Sequence, residues 1–341
     1  MNQTKRIEWL DCAKGIAIML VVLGHAVTTS IRTDSLIAQN IYNWVYYIHM
    51  PLFMTLSGIS YQLAQSHYQN ETVGNFVKKK AKRLLVPYVV YVSVVYIIFS
   101  VANMLPKIGY MMQNAGYGLL SFKQFFLGML LGDNFYCIHM WYIYVLFILS
   151  VLTFLLKKYL PRFADVILFV FVVTVYIIQC QTGLPQVKSF SNMFCFAIWY
   201  FLGLKLPISK LNKCIGYGSF LIGITVYLLT YFNVFSYASL PGWFVIDFIV
   251  KGCIILGIIF LISMFCTYKN KFLQYLGNHS MEIYLFHQPF WGSCFGSVFY
   301  GVLHLPLGFV VIASFVLSIS VSLIIGYFLR KTKLKVLFGL K

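Results

Sequence analysis

The chain has 341 residues, of which 60% are hydrophobic and only 10% charged, with a mean hydropathy of +0.82 and a formal net charge of +18. A soluble globular domain carries about 25% charged residues, so this composition excludes a soluble enzyme and describes a polytopic membrane protein. Nucleic acid is excluded as the partner of the positive charge, because the basic residues sort into short segments between hydrophobic runs.

Runs of roughly 17–25 apolar residues are long enough to cross a hydrocarbon core. Ten such spans are read at 11–30, 40–64, 84–105, 138–156, 163–180, 191–207, 214–233, 243–266, 281–303 and 306–329. With the N-terminus taken as cytoplasmic, inside segments hold Lys5 and Arg6, the run from Lys78 to Arg83, Lys157, Lys158 and Arg162, Lys205, Lys210 and Lys213, Lys269 and Lys271, and the tail from Arg330 to Lys341, 20 cations in all. Outside segments hold four: Arg32, Lys107, Lys123 and Lys188. A bias of this size orients a membrane protein and places both termini in the cytoplasm. The expected fold is therefore all-α, a single transmembrane domain over residues 1–341 with about ten membrane-spanning helices. No appended soluble domain and no cleavable signal peptide are expected.

The first span carries Asp11, Lys14 and His25. A charge at the centre of a membrane helix costs roughly 2.5–3.5 kcal/mol, so such residues point to function. Eleven steps at about 100° bring Lys14 and His25 within roughly 20° of one face, about 16 Å apart along the axis. Asp11 lies one turn from Lys14 and can pair with it. His25 is about 22 Å from the cytoplasmic start of the span, past the midplane. An imidazole there suits a general base or proton shuttle. Lys14, near the cytoplasmic edge, can snorkel to the interface or hold a phosphate.

In the second span His49-Met50-Pro51-Leu52-Phe53 is followed by Ser57-Gly58. Pro51 frees a backbone carbonyl, and Ser57-Gly58 permits close helix approach. His49 and Ser57 are candidate substrate contacts. The run Lys78-Lys79-Lys80-Ala81-Lys82-Arg83 exceeds what orientation needs, so Lys79, Lys80, Lys82 and Arg83 are candidate phosphate ligands. Within the long outside segment 105–137, residues 122–131 are apolar but too short to span, as in a re-entrant or interfacial helix. His139 and Trp141 open the fourth span at the outer interface, where Trp is also a belt residue. Asp247 and Lys251, four residues apart in the eighth span, are placed to neutralise each other. In the ninth span Glu282, Tyr284 and His287 are read as polar groups in helical phase that could line a cavity. The eight cysteines form no C-x-x-C, and neither a disulfide framework nor a metal site is expected.

No P-loop, G-x-S-x-G, H-E-x-x-H or dinucleotide fingerprint is present. Taken together, Leu10-Asp11 with Lys14-Gly15 and His25, the His49-Met50-Pro51 block, the basic cluster ending Arg83-Leu84-Leu85-Val86-Pro87-Tyr88, His139-Met140-Trp141-Tyr142, and Leu276-Gly277 through His287 resemble the acyltransferase-3 family of membrane acyltransferases. The Lys14-Gly15 and His49 blocks look most like its fucose 4-O-acetylase-like, or exopolysaccharide O-acetyltransferase, branch. Many relatives have Arg at the position of Lys14, which keeps the charge here but loses bidentate geometry. The resemblance implies an acetyl or other short acyl group taken from cytoplasmic acetyl-CoA (acyl-CoA, a donor substrate rather than a bound cofactor) and delivered to a carbohydrate acceptor, a polysaccharide or lipid-linked sugar. In that scheme His25, Asp11 and Lys14 are catalytic, and Lys14 and the basic cluster bind the donor. Direct transfer and a covalent acyl-enzyme both remain open. The competing reading is a transporter or flippase for a lipid-linked sugar, which would use the same ionisable groups without chemistry.

Overall fold

The computed structural model describes residues 7–114, 117–207, 213–265, 270–301 and 303–340. Lys5, Arg6, Lys210, Lys269 and Lys341 of the orientation count, and Cys266, lie outside the described residues. The described chain is helical, with no strand. In order the helices are α1 (Glu8–Ala26), α2 (Thr29–Asp34), α3 (Leu36–Tyr68), α4 (Val73–Arg83), α5 (Leu85–Met104), α6 (Pro106–Asn114), α7 (Phe122–Leu131), α8 (Trp141–Tyr159), α9 (Ala164–Thr182), α10 (Lys188–Lys205), α11 (Lys213–Tyr231), α12 (Trp243–Phe265), α13 (Lys271–Asn278), α14 (Ser280–Phe286), α15 (Phe295–Gly301) and α16 (Leu307–Arg330).

Among the described residues, seven helical segments are long and apolar enough to cross a membrane: Glu8–Ala26, Val73–Met104, Ile138–Tyr159, Ala164–Thr182, Cys214–Tyr231, Trp243–Met264 and Leu307–Arg330. The span read at 40–64 falls inside the continuous helix α3, and that read at 191–207 matches α10 as far as Lys205; the polar residues of both helices dilute their apolar character. The span read at 281–303 is not one helix. α14 stops at Phe286, a π-helical turn occupies Phe290–Cys294, and α15 follows. Pro289 explains the break, since it lacks an N–H and drives Gln288 out of the helical region. His287 therefore lies beyond the helix that carries Glu282 and Tyr284, not in phase with them. The first span also ends earlier than read, at Ala26, which puts His25 in the last turn of α1. Residues 122–131 form the short helix α7.

The chain divides into two compact units, each assembled from non-contiguous segments. The first contains residues 1–62, 199–284 and 292–319. Its helices meet through small residues. α1 lies against α13: a Cβ on Gly15 would overlap the carbonyl of Leu273, and one on Gly277 would overlap the carbonyl of Asp11. α3 and α10 make a second reciprocal contact, because a Cβ on Gly58 would strike the carbonyl of Tyr200 and one on Gly203 that of Thr55. Backbone approach of this kind is how membrane helices gain packing energy where lipid supplies no hydrophobic drive. Ile48, Val250 and Ile254 form a buried cluster with Trp44, Tyr47, Phe220 and Tyr227 around it.

Beside that cluster sits a polar knot. Tyr47 and Tyr237 donate hydroxyl hydrogens to Asp247 Oδ1 at 3.0 and 3.1 Å, and Lys251 donates to Asp247 Oδ2 at 2.7 Å. The Lys251 ammonium also lies 4.4 Å from the Tyr47 ring centroid. The pair expected from the i, i+4 spacing is thus present, and two tyrosines complete the shell of the carboxylate.

The second unit contains residues 63–198, 285–291 and 320–341. α8 packs on α4, α5 and α9. Phe76 of α4 stacks on Phe154 of α8 at 4.0 Å, which explains why the one buried side chain of an otherwise basic helix is aromatic. Phe286 contacts both Tyr91 and Phe338, at 5.6 and 5.5 Å between centroids.

Gly277→Ala is expected to destabilise the solubilised protein by about 1–3 kcal/mol, the usual cost of overpacking. Gly218→Ala, with nothing within 4 Å of the added Cβ, should be neutral or slightly stabilising. Thermal melts in detergent compare them, and equal melting temperatures would contradict the close α1–α13 contact. Lys251→Met should cost roughly 2 kcal/mol, below the range for fully buried pairs, because it strands a carboxylate. Asp247→Asn combined with Lys251→Met should recover much of that loss in the same assay.

Candidate active site

Gly24 positions the site. A Cβ there would lie 3.0 Å from Tyr46 Cε2 and 3.1 Å from Val45 Cγ1, so glycine is what lets α3 press against the last turn of α1. His25 then meets Tyr46 edge-on, with 6.2 Å between ring centroids, and Tyr46 meets His49 edge-on at 4.7 Å. Tyr46 and His49 are three residues apart and share a helix face. One tyrosine ring thus stands between two histidines of the first unit.

The two imidazoles are oriented alike. His25 Nδ1 lies 3.0 Å from the carbonyl of Val21, and His49 Nδ1 lies 2.8 Å from that of Val45. A carbonyl only accepts, so in each neutral ring Nδ1 carries the hydrogen and Nε2 is the basic nitrogen. Each histidine is held by its own helix one turn back, which fixes the tautomer suited to a proton acceptor at Nε2.

The cluster extends as a ladder. Tyr42 stacks on Tyr46 at 4.0 Å, and the Arg32 guanidinium carbon lies 3.9 Å over the Tyr42 ring. Arg32 also donates to Thr29 Oγ1 at 2.9 Å. Tyr46 keeps 37% exposure, so the ladder has an accessible side. Tyr42, Tyr46 and Arg32 were not singled out in the sequence. The signal was available in the spacing of Tyr42, Tyr46 and His49, which at i, i+4 and i+7 form one stripe.

The remaining candidates divide between the units. The first unit holds Asp11, Lys14, His25, His49, Ser57, Glu282 and Tyr284. Asp11, Lys14 and His25 share the uninterrupted helix α1. Asp11 and Lys14 are half-buried in its first turns, where α13 packs. His49, Glu282 and Tyr284 are buried. The Ser57 hydroxyl donates to the carbonyl of Phe53 at 2.8 Å, as Thr55 and Ser60 do to Pro51 and Leu56.

The second unit holds Lys79, Lys80, Lys82, Arg83, His139, Trp141 and His287. Here His139 and His287, 148 residues apart in sequence, meet edge-on with centroids 5.1 Å apart. The Tyr91 ring faces His139 at 6.2 Å, and its hydroxyl donates to the carbonyl of Gln288. Tyr91 was not anticipated, because nothing along α5 marks it. Trp141 stacks on Phe196 at 5.4 Å. On α4, Lys79 pairs with Glu71, and Lys80 lies over Tyr68 and Phe76 at 5.3 and 5.5 Å. Lys82 and Arg83 are exposed.

Comparison with known proteins places this architecture. A family profile described as an acyltransferase domain, that of acyltransferase-3, matches residues 7–328. The nodulation protein NolL of Sinorhizobium fredii (strain NBRC 101917 / NGR234) is 34% identical over 87 residues, 25% of this chain and 23% of that protein. NolL of Mesorhizobium japonicum (strain LMG 29417 / CECT 9101 / MAFF 303099) is 32% identical over 92 residues, 26% and 24% of the respective chains. The chain therefore spans about a quarter of each of these relatives, and no solved structure matches it. The family match runs over nearly the whole chain, including every helix from α1 to α15 and most of α16, and the protein, a multi-pass membrane protein, belongs to the acyltransferase-3 family.

Proposed function

We propose that the protein is an inner-membrane O-acyltransferase that moves an acetyl or other short acyl group from cytoplasmic acyl-CoA to a hydroxyl of a cell-surface or lipid-linked carbohydrate. The observation that carries this reading is the His25–Tyr46–His49 cluster, with both basic Nε2 nitrogens fixed by Nδ1–H donation to helix carbonyls. An acyltransferase needs a base that takes a proton from a hydroxyl, and two neighbouring membrane helices need a reason to carry an imidazole each at their contact.

In the proposed reaction Nε2 of His25 accepts the acceptor's hydroxyl proton as the oxygen attacks the thioester carbonyl carbon. The C–O bond forms, the C–S bond breaks, and the CoA thiolate leaves and is reprotonated. Acyl transfer through a covalent intermediate would use the same base twice. Proton transfer by a positioned group is worth typically 10²–10⁴-fold, and excluding bulk water limits thioester hydrolysis. Lys14 lies eleven residues before His25 on α1, about 16 Å along the axis. A long, thin pantetheine arm spans such a distance. Lys14 is the cation of the first unit proposed to hold a CoA phosphate; in the second unit Lys79 and Lys80 are committed to Glu71 and to aromatic faces, and Lys82 and Arg83 are the exposed cations proposed to attract an anion there. Asp11 is assigned to orienting Lys14.

His25→Ala should lower acetyl transfer from radiolabelled acetyl-CoA to cell-envelope polysaccharide at least a hundredfold, with unchanged membrane insertion. Full acetylation by an inserted variant would remove His25 as the base. Lys14→Ala should raise the KM for acetyl-CoA several-fold, and Lys14→Arg should retain part of the wild-type value because the charge survives. An unaltered KM in Lys14→Ala would return Lys14 to snorkelling.

A further inference from the structure

The second unit contains a cavity of about 100 Å³ that the catalytic scheme does not use, lined by Tyr96, Gln124, Asp133, Asn134, Phe135 and Tyr136 among others. We propose that it seats one neutral sugar ring of the acceptor. The proposal rests on the carbohydrate-acceptor reading above and adds where that acceptor is held and what kind of ring fits.

The chain builds the cavity with care for its backbone. α7 opens with a capping box between Ser121 and Gln124 and ends at Gly132, whose φ of 69° lets its N–H turn back to the carbonyls of Gly128 and Met129. Asp133 N–H then donates to Gly128 O at 2.8 Å. A Cβ on Gly128 would lie 2.6 Å from Asp133 O, so this return of the chain along α7 requires glycine. The walls are pinned. Asn134 Nδ2 donates to the Tyr88 hydroxyl at 2.5 Å, and that hydroxyl donates to Met129 O at 2.8 Å. Tyr136 donates to Gly118 O at 2.6 Å and accepts from Leu120 N–H at 3.1 Å. Tyr96 stacks on Phe125 at 4.0 Å. A rim fixed in advance loses little entropy on binding.

The lining selects the ligand. Asp133 is the only charged side chain among the lining residues, and it commits Oδ2 to the Lys188 N–H at 3.3 Å, which leaves Oδ1 as a charged acceptor. Gln124 accepts through Oε1 from Ser121 N and Oγ, which makes its Nε2 the donor. Phe135, 48% exposed, offers an aromatic face at the rim. A carboxylate and an amide to pair hydroxyls, with a ring against which C–H groups pack, suit a neutral polyol. CoA phosphates or a lipid pyrophosphate would meet the carboxylate with no lining cation to offset it. The volume is well below the roughly 300–1,000 Å³ of pockets that enclose a whole ligand, so it takes one ring, or its edge, of a longer glycan. The lining also adjoins the second histidine pair. Val92 lines the cavity and follows Tyr91, whose ring faces His139, and residues 133–137 run directly into His139 and Trp141.

The test uses full-length protein in lipid nanodiscs. The probe is de-O-acetylated envelope polysaccharide from a strain lacking the protein. Binding is read by biolayer interferometry, and acetyl transfer is measured in parallel. Both Asp133 and Phe135 are exposed, and Asp133→Asn keeps an oxygen for the Lys188 amide, so the variants should fold. The Asp133→Asn, Phe135→Ala double variant should bind the polysaccharide about tenfold more weakly, equivalent to about 1.4 kcal/mol, with the KM for acetyl-CoA unchanged. Phe126→Ala, an exposed position of α7 outside the lining, should bind like wild type. Equal binding by wild type and the double variant, or no binding by wild type, overturns the proposal. Binding that depends on Asp133 and Phe135 without any acetyl transfer by wild type would keep the sugar site and sink the acyltransfer to carbohydrate.

Discussion

The constraint on which this structure depends is the cost of polar groups inside an apolar bundle. Every ionisable or hydroxylic side chain on a membrane helix must find a partner without water. His25 and His49 donate from Nδ1 to carbonyls of their own helices. Thr55, Ser57 and Ser60 do the same with their hydroxyls around Pro51, where a backbone donor is missing. Asp247 gathers three donors. The consequence for chemistry is direct, because satisfying Nδ1 locally commits the basic nitrogen of each imidazole to the opposite side of the ring.

Glycines then decide where those groups meet. Gly24 admits Tyr46 beside His25, and Gly15 with Gly277 brings α13 onto the turn that carries Asp11 and Lys14. Gly58 and Gly203 lock α3 against α10 below His49. The site is thus built from helix faces whose approach distance is set by missing side chains, and its polar groups sit on rigid elements rather than on loops. The cavity of the second unit follows the same logic with Gly128 and Gly132.

Much of this was legible in the sequence. Long apolar runs define α1, α5, α8, α9, α11, α12 and α16 because each needs only hydropathy and length to be recognised. The short α7 was visible for the same reason, as was the Asp247–Lys251 pair from its spacing. The ninth span was misjudged because hydropathy ignores what Pro289 does to the backbone, and His287 thereby left the helix of Glu282. Within the site, α1 alone predicts that Lys14 and His25 share a face. It says nothing of Tyr46, whose role arises from the contact between two helices. His139 and His287 could be named individually but not paired, since 148 residues separate them and no periodicity links them. The cavity lay in a segment readable only as a long outside connection, because its polar lining is assembled from a turn and two helices.

The central proposal is that His25 of α1 serves an acyl transfer in which donor and carbohydrate acceptor approach from opposite membrane faces, the donor from the side of Lys14. The most direct measurement uses sealed vesicles of defined orientation, with radiolabelled acetyl-CoA supplied on the face that is cytoplasmic in the cell and acceptor glycan confined to the other. The account predicts label on the glycan in this arrangement and none when the two are exchanged. Label transferred only when donor and acceptor share the cytoplasmic face would contradict it.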